Sequence, residues 1–383
     1  MFRLKSAMPN TENRPIDAPP LAPQDDPWMG RFHCEVVEKI GAAWDTLAAG
    51  FEDFCMEQSF AFTGSRWSKL RAVGLILREE GAAEPVAMAL ALIAALPVLG
   101  IGLAYVKFGP LWRRKGNPAD PDILFAVLES LKREFGQKRR LVVRVLPPAD
   151  PDHDWVDSMQ RANFSFHAAL SDRERYLVDL TLSEEEQLAS LGAQWRANLK
   201  KVSHELVIEE PGLKNGIPDF IALYKNMLAR KQFNDHHGIE DLPAIAEQAG
   251  EKLGMRLFLA RHQGEPVVGS IIIGTGDRVF VPFSATSDKA LSLRAGYALR
   301  WSTINKLRGT GARWLDLGGA EGDSGLRHYK LGNVGKRGRV ADIPGEYDYA
   351  PSALSAAAAR AIELGRDLMR TPALKKIATF LPI

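Results

Sequence analysis

The pattern of apolar and polar positions predicts alternating helices and strands in both halves of the chain. In the second half, Ser183 and Glu186 have the spacing of a capping box, which predicts that a helix begins there. Further helices are predicted from Pro218 onward and over residues 295–307. Short apolar runs between turn residues predict the strands of this half: 206–209, 255–261, 266–273, 278–284 and 313–317.

The first half shows the same alternation less clearly. Apolar residues spaced for one buried face predict a helix that begins near Phe32, and residues 73–106 favour strands. A helix over 121–135 and a strand over 141–146 follow. Both halves therefore share an order of elements. This indicates an α/β (α+β) fold made of two structurally duplicated units, although no sequence repeat accompanies it.

The two ends of the chain have distinct compositions. Residues 1–27 contain several prolines and many polar residues, which predicts a flexible lead-in. Residues 351–383 alternate basic and apolar residues, which predicts an amphipathic C-terminal helix. That helix could pack on the second unit or lie on an anionic membrane, and packing is the simpler interpretation.

One apolar segment raises the question of a membrane span. Residues 86–106 are almost wholly apolar, and a membrane helix needs about 20 such residues. Pro97, Gly100 and Gly102 interrupt this segment, however. Two buried strands joined by a turn are therefore predicted, with a membrane helix as the alternative.

Charge and cysteine content exclude several classes of protein. The net charge is +2, so a dedicated DNA-binding protein is not expected, and an RNA partner would need a local basic patch. Two cysteines, Cys34 and Cys55, exclude a disulfide-rich secreted scaffold. No metal site is predicted, because the pairs His33-Cys34 and His236-His237 are adjacent in sequence and point in different directions. A cytoplasmic protein is expected, with peripheral contact at the inner membrane surface as an addition.

The segment 287–297 is a candidate site for a phosphate-bearing ligand. It joins a predicted strand to the helix that begins near Ala295, and the first N–H groups of a helix suit phosphate or carboxylate oxygens. Arg294 adds positive charge, and Gly296, followed by Tyr297, permits close approach of a ligand. The alternative interpretation is that Gly296 only lets the helix pack closely on the sheet.

A second candidate site follows the last strand of the second half. Asp316 ends that strand before the diglycine 318–319, and a predicted loop then brings Tyr329 and Lys330 back toward it. Lys330 could stabilise an oxyanion, or it could be an ordinary surface lysine. Asp316 could act as a general base, as could Glu321 and Asp323 (both carboxylates of the loop), or it could hold the diglycine turn by hydrogen bonds.

Seven segments together resemble the FemABX family of peptidoglycan bridge-forming aminoacyltransferases, within the GNAT acyltransferase superfamily. They occur in matching order over roughly residues 44–349: 103–110, 182–209 with 195–201 inside it, 298–301, 316–319, 329–330 and 345–348. The chain departs from that family in lacking a coiled-coil insertion in its second half, and its residues 86–106 are more apolar than a soluble acceptor requires.

The resemblance implies two tandem GNAT-like domains, each a mostly antiparallel sheet flanked by helices. Residues 28–180 would form the acceptor-side domain and residues 181–350 the donor-side domain. It further implies that Lys330 lies beside the scissile carbonyl and that the basic residues Arg196 and Lys200 lie at the cleft. Taken with the residue patterns, the expected catalytic residues are Lys330, Tyr329 and Asp316. The expected substrate-binding residues are Tyr105, Arg196, Lys200 and Tyr224, and the expected donor-binding residues are Arg294, Ala295, Gly296 and Tyr297.

The expected function is N-acyl transfer to an amine of a cell-envelope precursor or amino lipid, by direct attack. The co-substrate would be acyl-CoA or an aminoacyl-tRNA, with no tightly bound cofactor. The alternatives are an acyl-CoA-dependent enzyme that acts on a long-chain amine and a catalytically degenerate adaptor of envelope assembly.

Overall fold

The protein contains two seven-stranded sheets. The structure, a computed structural model, describes residues 30–68, 70–96, 99–231, 238–320 and 324–370, with side chains described up to residue 366. In chain order the strands are β1 (Phe32–Val37), β2 (Arg71–Glu79), β3 (Pro85–Ala95), β4 (Gly102–Lys107), β5 (Leu141–Leu146), β6 (Ser165–Ala168), β7 (Glu174–Asp179), β8 (Leu206–Glu209), β9 (Arg256–His262), β10 (Glu265–Ile273), β11 (Arg278–Thr286), β12 (Trp314–Asp316), β13 (Arg339–Asp342) and β14 (Glu346–Tyr349).

Helices connect these strands and cover the sheets. They are α1 (Ala42–Ala48), α2 (Phe60–Arg66), α3 (Pro121–Leu131), α4 (Trp155–Arg161), α5 (Glu184–Ser190), α6 (Ala193–Leu199), α7 (Leu213–Lys231), α8 (Leu242–Ala249), α9 (Lys289–Ser292), α10 (Ala295–Leu307), α11 (Gly325–Val334) and α12 (Ala353–Arg370). Short helical turns of other types cover Met56–Gln58, Lys132–Gln137 and Ile239–Asp241.

The two sheets have the same strand order and exchange one strand. The first sheet runs β1-β2-β3-β4-β5-β14-β6 and the second runs β8-β9-β10-β11-β12-β7-β13. In each sheet the sixth place is filled by a strand from the other half of the chain. The predicted duplication is therefore present. A division after residue 180 does not separate the sheets, because β7 precedes it and lies in the second sheet, while β14 follows it and lies in the first.

Most predicted elements of the second half are present where the sequence places them. Ser183 caps α5 in a capping box with Glu186, as predicted, and β8 and α10 begin and end at the predicted residues. The apolar segment 86–106 forms β3 and β4, so the prediction of two buried strands is confirmed. Among the described residues, no helix combines the length and the apolar composition that a membrane crossing requires.

Three local predictions are wrong. Residues near Phe32 form the strand β1 rather than a helix, because they pair with β2 and alternate between a buried Phe32 and an exposed His33. Pro218 lies inside α7, which begins five residues earlier at Leu213. Residues 325–334 form the helix α11 rather than a loop, and the Ser324 hydroxyl accepts a hydrogen bond from the N–H of Arg327 to cap it.

A large apolar core is shared by the two domains, by which we mean each sheet with its covering helices. From the first domain, Trp44, Phe51 and Phe54 enter this core; from the second, α7 contributes Phe220 and Tyr224. All five side chains are at most 5% exposed. Because burial of such side chains is the main favourable contribution to folding, we expect the two domains to unfold together.

A polar contact lies beside this core. The Arg113 guanidinium donates to the Asp277 carboxylate across 2.7 Å, and the Asp53 carboxylate accepts from the N–H groups of Trp112 and Arg113. Burial raises the pKa of Asp53 to about 7, although the Arg113 charge and these hydrogen bonds oppose the shift. The ionised carboxylate is therefore disfavoured in the folded state relative to the unfolded chain.

The raised pKa of Asp53 predicts how stability changes with pH. A carboxylate whose folded-state pKa exceeds its unfolded value of 3.8 stabilises the fold at low pH, and this contribution is lost as the pH rises through 7. We expect Asp53→Asn to remove this loss, so that the variant gains on the order of 1 kcal/mol over the wild type between pH 5 and pH 8. Urea unfolding at pH 5 and at pH 8 measures the free energy of unfolding, with Asp157→Asn as the exposed control. Equal pH dependence of that free energy in wild type and Asp53→Asn would contradict the prediction.

Candidate active site

The second sheet opens at one point between two parallel strands. β11 and β12 pair only from Arg278–Trp314 to Phe280–Asp316, whereas β11 continues to Thr286. Beyond Phe280, the edge of β11 that faces β12 has no partner among the described strands, and we call this unpaired stretch the opening. In the first sheet, the corresponding strands β4 and β5 pair over all six residues of each. Among the described strands, the second sheet therefore has this opening between its parallel strands, and the first sheet does not.

The chain runs from this opening to the N-terminus of α10. Arg294 precedes the helix in a left-handed conformation with φ of 55°, and no side chain caps the first turn. The initial N–H groups of a helix have no intrahelical acceptor, and together they carry a partial positive charge. The first turn, at Ala295 and Gly296, is therefore available to bind an anion.

Gly296 is not required for packing. A Cβ atom added at this position would have no atom within 4 Å, so the space in front of Gly296 is open. This observation decides against the interpretation that Gly296 only permits close packing of the helix on the sheet.

Lys330 lies on α11 close to the diglycine turn. The residue is 9% exposed, and its Nζ atom donates a hydrogen bond of 2.5 Å to the carbonyl oxygen of Gly319. Burial lowers the pKa of Lys330 to about 8; the nearby Asp316 opposes this shift, while Arg300 and Arg175 add to it. Lys330 is thus a buried amine in the second domain rather than a surface lysine.

Asp316 holds the turn that faces Lys330. Its Oδ1 atom accepts a hydrogen bond of 2.8 Å from the N–H of Gly318, and its Oδ2 atom lies 3.6 Å from Nε of Arg175. Gly318 has φ of 75°, a conformation that favours glycine. These contacts favour the structural alternative for Asp316, in which it fixes the diglycine turn, over the role of general base.

An aromatic cluster connects Lys330's helix to the first turn of α10. The hydroxyl of Tyr329 donates a 3.0 Å hydrogen bond to the carbonyl of Gly296. The rings of Trp195, Tyr297 and Tyr329 pack with centroids 5.0 to 6.0 Å apart, and Asn198 donates to the Tyr297 hydroxyl across 3.0 Å. The structure therefore brings together Tyr329, Lys330, Asp316 and the residues from Arg294 to Tyr297.

Four other candidates lie elsewhere or have different contacts. Tyr105 lies on the first sheet and donates a 2.7 Å hydrogen bond to Glu346. Tyr224 packs in the shared core against Phe220, with ring centroids 6.1 Å apart. Arg196 donates to the backbone carbonyls of residues 189 and 191 at the end of α5, and Lys200 is exposed at the end of α6.

Several residues around Lys330 were not among the sequence candidates. The ring of Tyr176 lies 5.9 Å from Lys330 Nζ, and Phe108 of the first domain lies 5.6 Å from the Arg175 guanidinium. Arg300 lies on the buried face of α10. A signal for Arg300 was present in the sequence, because it is a charged residue at a helical spacing occupied by apolar residues. Tyr176 and Arg175 gave no such signal, since the sequence alone does not reveal that β7 joins the second sheet.

Some candidates lie outside the described residues, namely Glu321, Asp323 and the pair His236-His237. In the part of the chain that the structure describes, no cluster of three or more histidine, cysteine, aspartate or glutamate residues has the arrangement of a metal site.

Comparisons with known proteins agree with this geometry. The acetyltransferase (GNAT) domain family matches residues 189–331. The crystal structure of FemX superposes with a TM-score of 0.68 at 14% identity, covering 84% of this chain and 99% of that one. A conserved protein of unknown function from Bacteroides thetaiotaomicron VPI-5482 superposes with a TM-score of 0.55 at 14% identity, covering 82% of this chain and 99% of that one. The C-terminal domain (DUF2156) of a candidate lysylphosphatidylglycerol synthetase from Agrobacterium fabrum superposes with a TM-score of 0.51 at 16% identity, covering 84% of this chain and 96% of that one. No curated protein matches the chain in sequence.

These similarities confirm the predicted fold of two tandem GNAT-like domains and the resemblance to FemX-type proteins as a resemblance of fold. The match over residues 189–331 confirms the prediction of an acyltransferase at the level of that domain. It also covers β11, α10, β12 and Lys330, which are the elements that form the candidate active site.

Proposed function

We propose that this protein is an N-acyltransferase in which an amine attacks the carbonyl carbon of an acyl or aminoacyl group directly, without a covalent enzyme intermediate. One observation carries the proposal: the opening between β11 and β12, the uncapped first turn of α10 and the amine of Lys330 lie together in the domain that matches the acetyltransferase family.

The donor would be carried by a molecule that bears phosphate. Its phosphates would bind the first turn of α10 beside Arg294, and its linker to the acyl group would run along the unpaired edge of β11 into the opening. Coenzyme A and the 3′ end of a tRNA both have this chemistry.

The reacting carbonyl would lie near Lys330. As the amine attacks, negative charge develops on the carbonyl oxygen, and the Nζ atom of Lys330 would donate a hydrogen bond to it. Binding of donor and acceptor side by side supplies the proximity that a reaction between two bound substrates needs. A catalytically degenerate adaptor has no use for a buried lysine of lowered pKa beside an open anion site, so we favour the enzyme.

The acceptor would enter from the side of the first domain, where Phe108 faces Arg175. We propose an amine of a cell-envelope precursor or amino lipid, which the resemblance to bridge-forming enzymes and the similarity to a candidate lysylphosphatidylglycerol synthetase both support. The apolar character of residues 86–106 does not favour a long-chain amine, because its strands β3 and β4 pack in the apolar cores.

Peripheral contact with a membrane would suit a lipid acceptor. On α12, Leu354 and Leu364 are 62% and 65% exposed, and the exposed Arg360 lies one turn before Leu364. We propose that this face of α12 meets anionic lipid. Co-sedimentation of the protein with anionic vesicles tests this proposal. Binding that persists unchanged in Leu354→Ser and Leu364→Ser would contradict the proposed contact of α12 with lipid.

Donor binding tests the proposed function in the intact protein. A ligand that binds only the folded state raises the melting temperature by mass action. We expect a rise either with acyl-CoA compounds, dependent on acyl length, or with aminoacyl-tRNA. Acyl-CoA binding would favour the long-chain or small-amine acceptors, and tRNA binding would favour envelope precursors. No rise with any donor of either kind would contradict the proposal.

Gly296→Ala should separate stability from donor binding. The added Cβ meets no neighbouring atom, and alanine favours helix, so the melting temperature without ligand should stay equal or rise slightly. The methyl group would occupy the space where the donor's phosphates approach the N–H groups, so we expect donor affinity to fall about tenfold, or ~1.4 kcal/mol. Isothermal titration measures this.

The matched control for that measurement is Gly365→Ala on α12, where an added Cβ also meets no neighbour. It should gain the same small stability and keep full donor affinity. Unchanged affinity in Gly296→Ala would show that the donor does not use the first turn of α10.

A further inference from the structure

Arg175 on β7 is a partly buried guanidinium that donates no hydrogen bond within the described part of the chain. Its side chain is 20% exposed, and its Nε atom lies 3.6 Å from Oδ2 of Asp316, too far for a hydrogen bond. That oxygen is itself buried without a hydrogen-bond partner. By contrast, Arg113 and Arg261, whose side chains are each 21% exposed, donate to carboxylates across 2.7 and 2.6 Å. The Nη groups of Arg175 are therefore available to a ligand.

The guanidinium of Arg175 and the amine of Lys330 converge on the diglycine turn. The point that a Cβ atom would occupy at Gly318 lies 3.7 Å from Nη1 of Arg175 and 3.7 Å from Nζ of Lys330. The two nitrogen atoms are therefore at most twice that distance apart. Burial lowers the pKa of Lys330 to about 8, so its amine is still mostly protonated at neutral pH. Two cations thus flank one point just beyond the end of β12, where the opening begins.

The second sheet separates Arg175 from the donor site. Side chains along a strand alternate between the two faces of a sheet. On β7, Tyr176 packs in the same core as Ala295 of α10, whereas Leu177 packs in the same core as Phe108 of the first domain. Arg175 shares the face of Leu177, and its guanidinium lies 5.6 Å from the centre of the Phe108 ring. An anion on Arg175 therefore belongs to a molecule on the first-domain side of the sheet, opposite the first turn of α10.

In the proposed function, the molecule on that side is the acceptor. Its amine must reach a carbonyl beside Lys330, while its anion must reach Arg175 close by. Hydrogen bonds of about 2.9 Å at both nitrogen atoms leave room for only a short link between the amine and the anionic group. A carboxylate or a phosphate suits Arg175, because each offers two oxygen atoms to the planar fork of a guanidinium.

We propose that Arg175 binds a carboxylate or phosphate that the acceptor carries within a few bonds of its reacting amine. This inference rests on the proposed function and deepens it, because it defines the acceptor as an anionic amine. The anion would be the phosphate of an amino-lipid head group or the carboxylate of an amino-acid unit in an envelope precursor. A neutral long-chain amine would leave this guanidinium without a partner, so the proposal disfavours that acceptor.

Matched pairs of small amines test the site without any donor. O-Phosphoethanolamine is compared with ethanolamine, and β-alanine with β-alaninamide, so that the members of each pair differ in the anionic group. Ligand-observed NMR titration of the full chain gives their Kd values. We expect the anionic member of at least one pair to bind about 10- to 100-fold more tightly, as hydrogen bonds to a charged group do. A larger preference for O-phosphoethanolamine would indicate a lipid head group, and a larger preference for β-alanine would indicate an amino-acid unit.

Substitutions then assign the preference to one side chain. Arg175→Met should bring the Kd values of a pair to within about twofold of each other, because the charged fork is lost. Arg175→Lys should keep part of the preference, since lysine retains the charge without the fork. The control Arg261→Met removes an equally exposed guanidinium from the same sheet and should leave the preference unchanged.

The selectivity of transfer is the second readout. Once a donor is identified, the ratio of kcat/KM for the anionic and neutral members should fall to near one in Arg175→Met. A merely structural role of Arg175 would lower both values equally and keep the ratio.

Two results would overturn the proposal. One is a wild type that binds both members of each pair equally, or binds none of the four; this result needs no variant and so applies even if the variants do not fold. The other is a preference that persists in Arg175→Met. Failure of the proposed function would look different: the wild type would prefer anionic amines through Arg175 and yet transfer no acyl group to them from any donor.

Discussion

Replacing Lys330 by methionine is expected to lower kcat for acyl transfer by about 10²–10³-fold while the protein remains folded. Methionine keeps much of the length and apolar contact of the lysine stem but removes the Nζ atom that donates to Gly319. Removal of one donor to an oxyanion typically has an effect of this size because the transition state carries the charge and the ground state does not.

The lysine control is Lys336→Met, an exposed residue just after α11, for which activity within twofold of the wild type is expected. Melting curves of both variants show whether the fold is kept. Because Lys330 is buried without an ion pair to the described residues, Lys330→Met should be at least as stable as the wild type. A folded Lys330→Met that transfers acyl groups at the wild-type rate would remove Lys330 from the mechanism and revive the adaptor interpretation.

Replacing Phe220 by alanine is expected to destabilise the whole protein by about 3–5 kcal/mol. Phe220 has no exposed surface and lies on α7 in the core that both domains share. Truncation leaves a cavity there, and the loss should appear in both domains at once because neither has a separate core on that side. Urea unfolding followed by tryptophan fluorescence and by circular dichroism measures the free energy of unfolding.

The exposed residue Phe166 provides the matched control, since it is 59% exposed on β6 and the same substitution there should cost well under half as much. In the wild type and in Phe220→Ala, the two optical transitions should coincide. Two separated transitions, of which only one moves in Phe220→Ala, would contradict the idea that the domains fold as one unit.

Local elements were predictable where a local cause determines them. The capping box at Ser183, the apolar strand β8 and the helix α10 depend on residues close in sequence, and all three are found as predicted. The strand β1 was mistaken for a helix because six residues fit both periods, and only pairing with β2 decides between them. The exchange of β7 and β14 was not predictable, because strand partners depend on the whole sheet rather than on neighbouring residues.

In the candidate site too, some features could be predicted from the local sequence and others depend on tertiary neighbours. The first turn of α10, the strand end at Asp316 and Lys330 as a candidate all follow from local pattern, and the family resemblance adds weight to Lys330. Its burial and lowered pKa come from tertiary neighbours. Tyr224 is an aromatic residue on an amphipathic helix, and sequence alone does not distinguish a core side chain of that kind from one that lines a cleft.

The fate of the acyl group tests the central claim most directly. The protein is incubated with labelled acyl-CoA or aminoacyl-tRNA and an extract of envelope precursors and amino lipids, and the label is then treated with hydroxylamine, which cleaves thioesters and esters but not amides. Direct transfer to an amine predicts hydroxylamine-resistant label on a small or lipid-linked product, which forms with the wild type and forms about 10²–10³-fold more slowly with Lys330→Met. Label bound covalently to the protein as a catalytic intermediate, or no transfer from any donor, would contradict it.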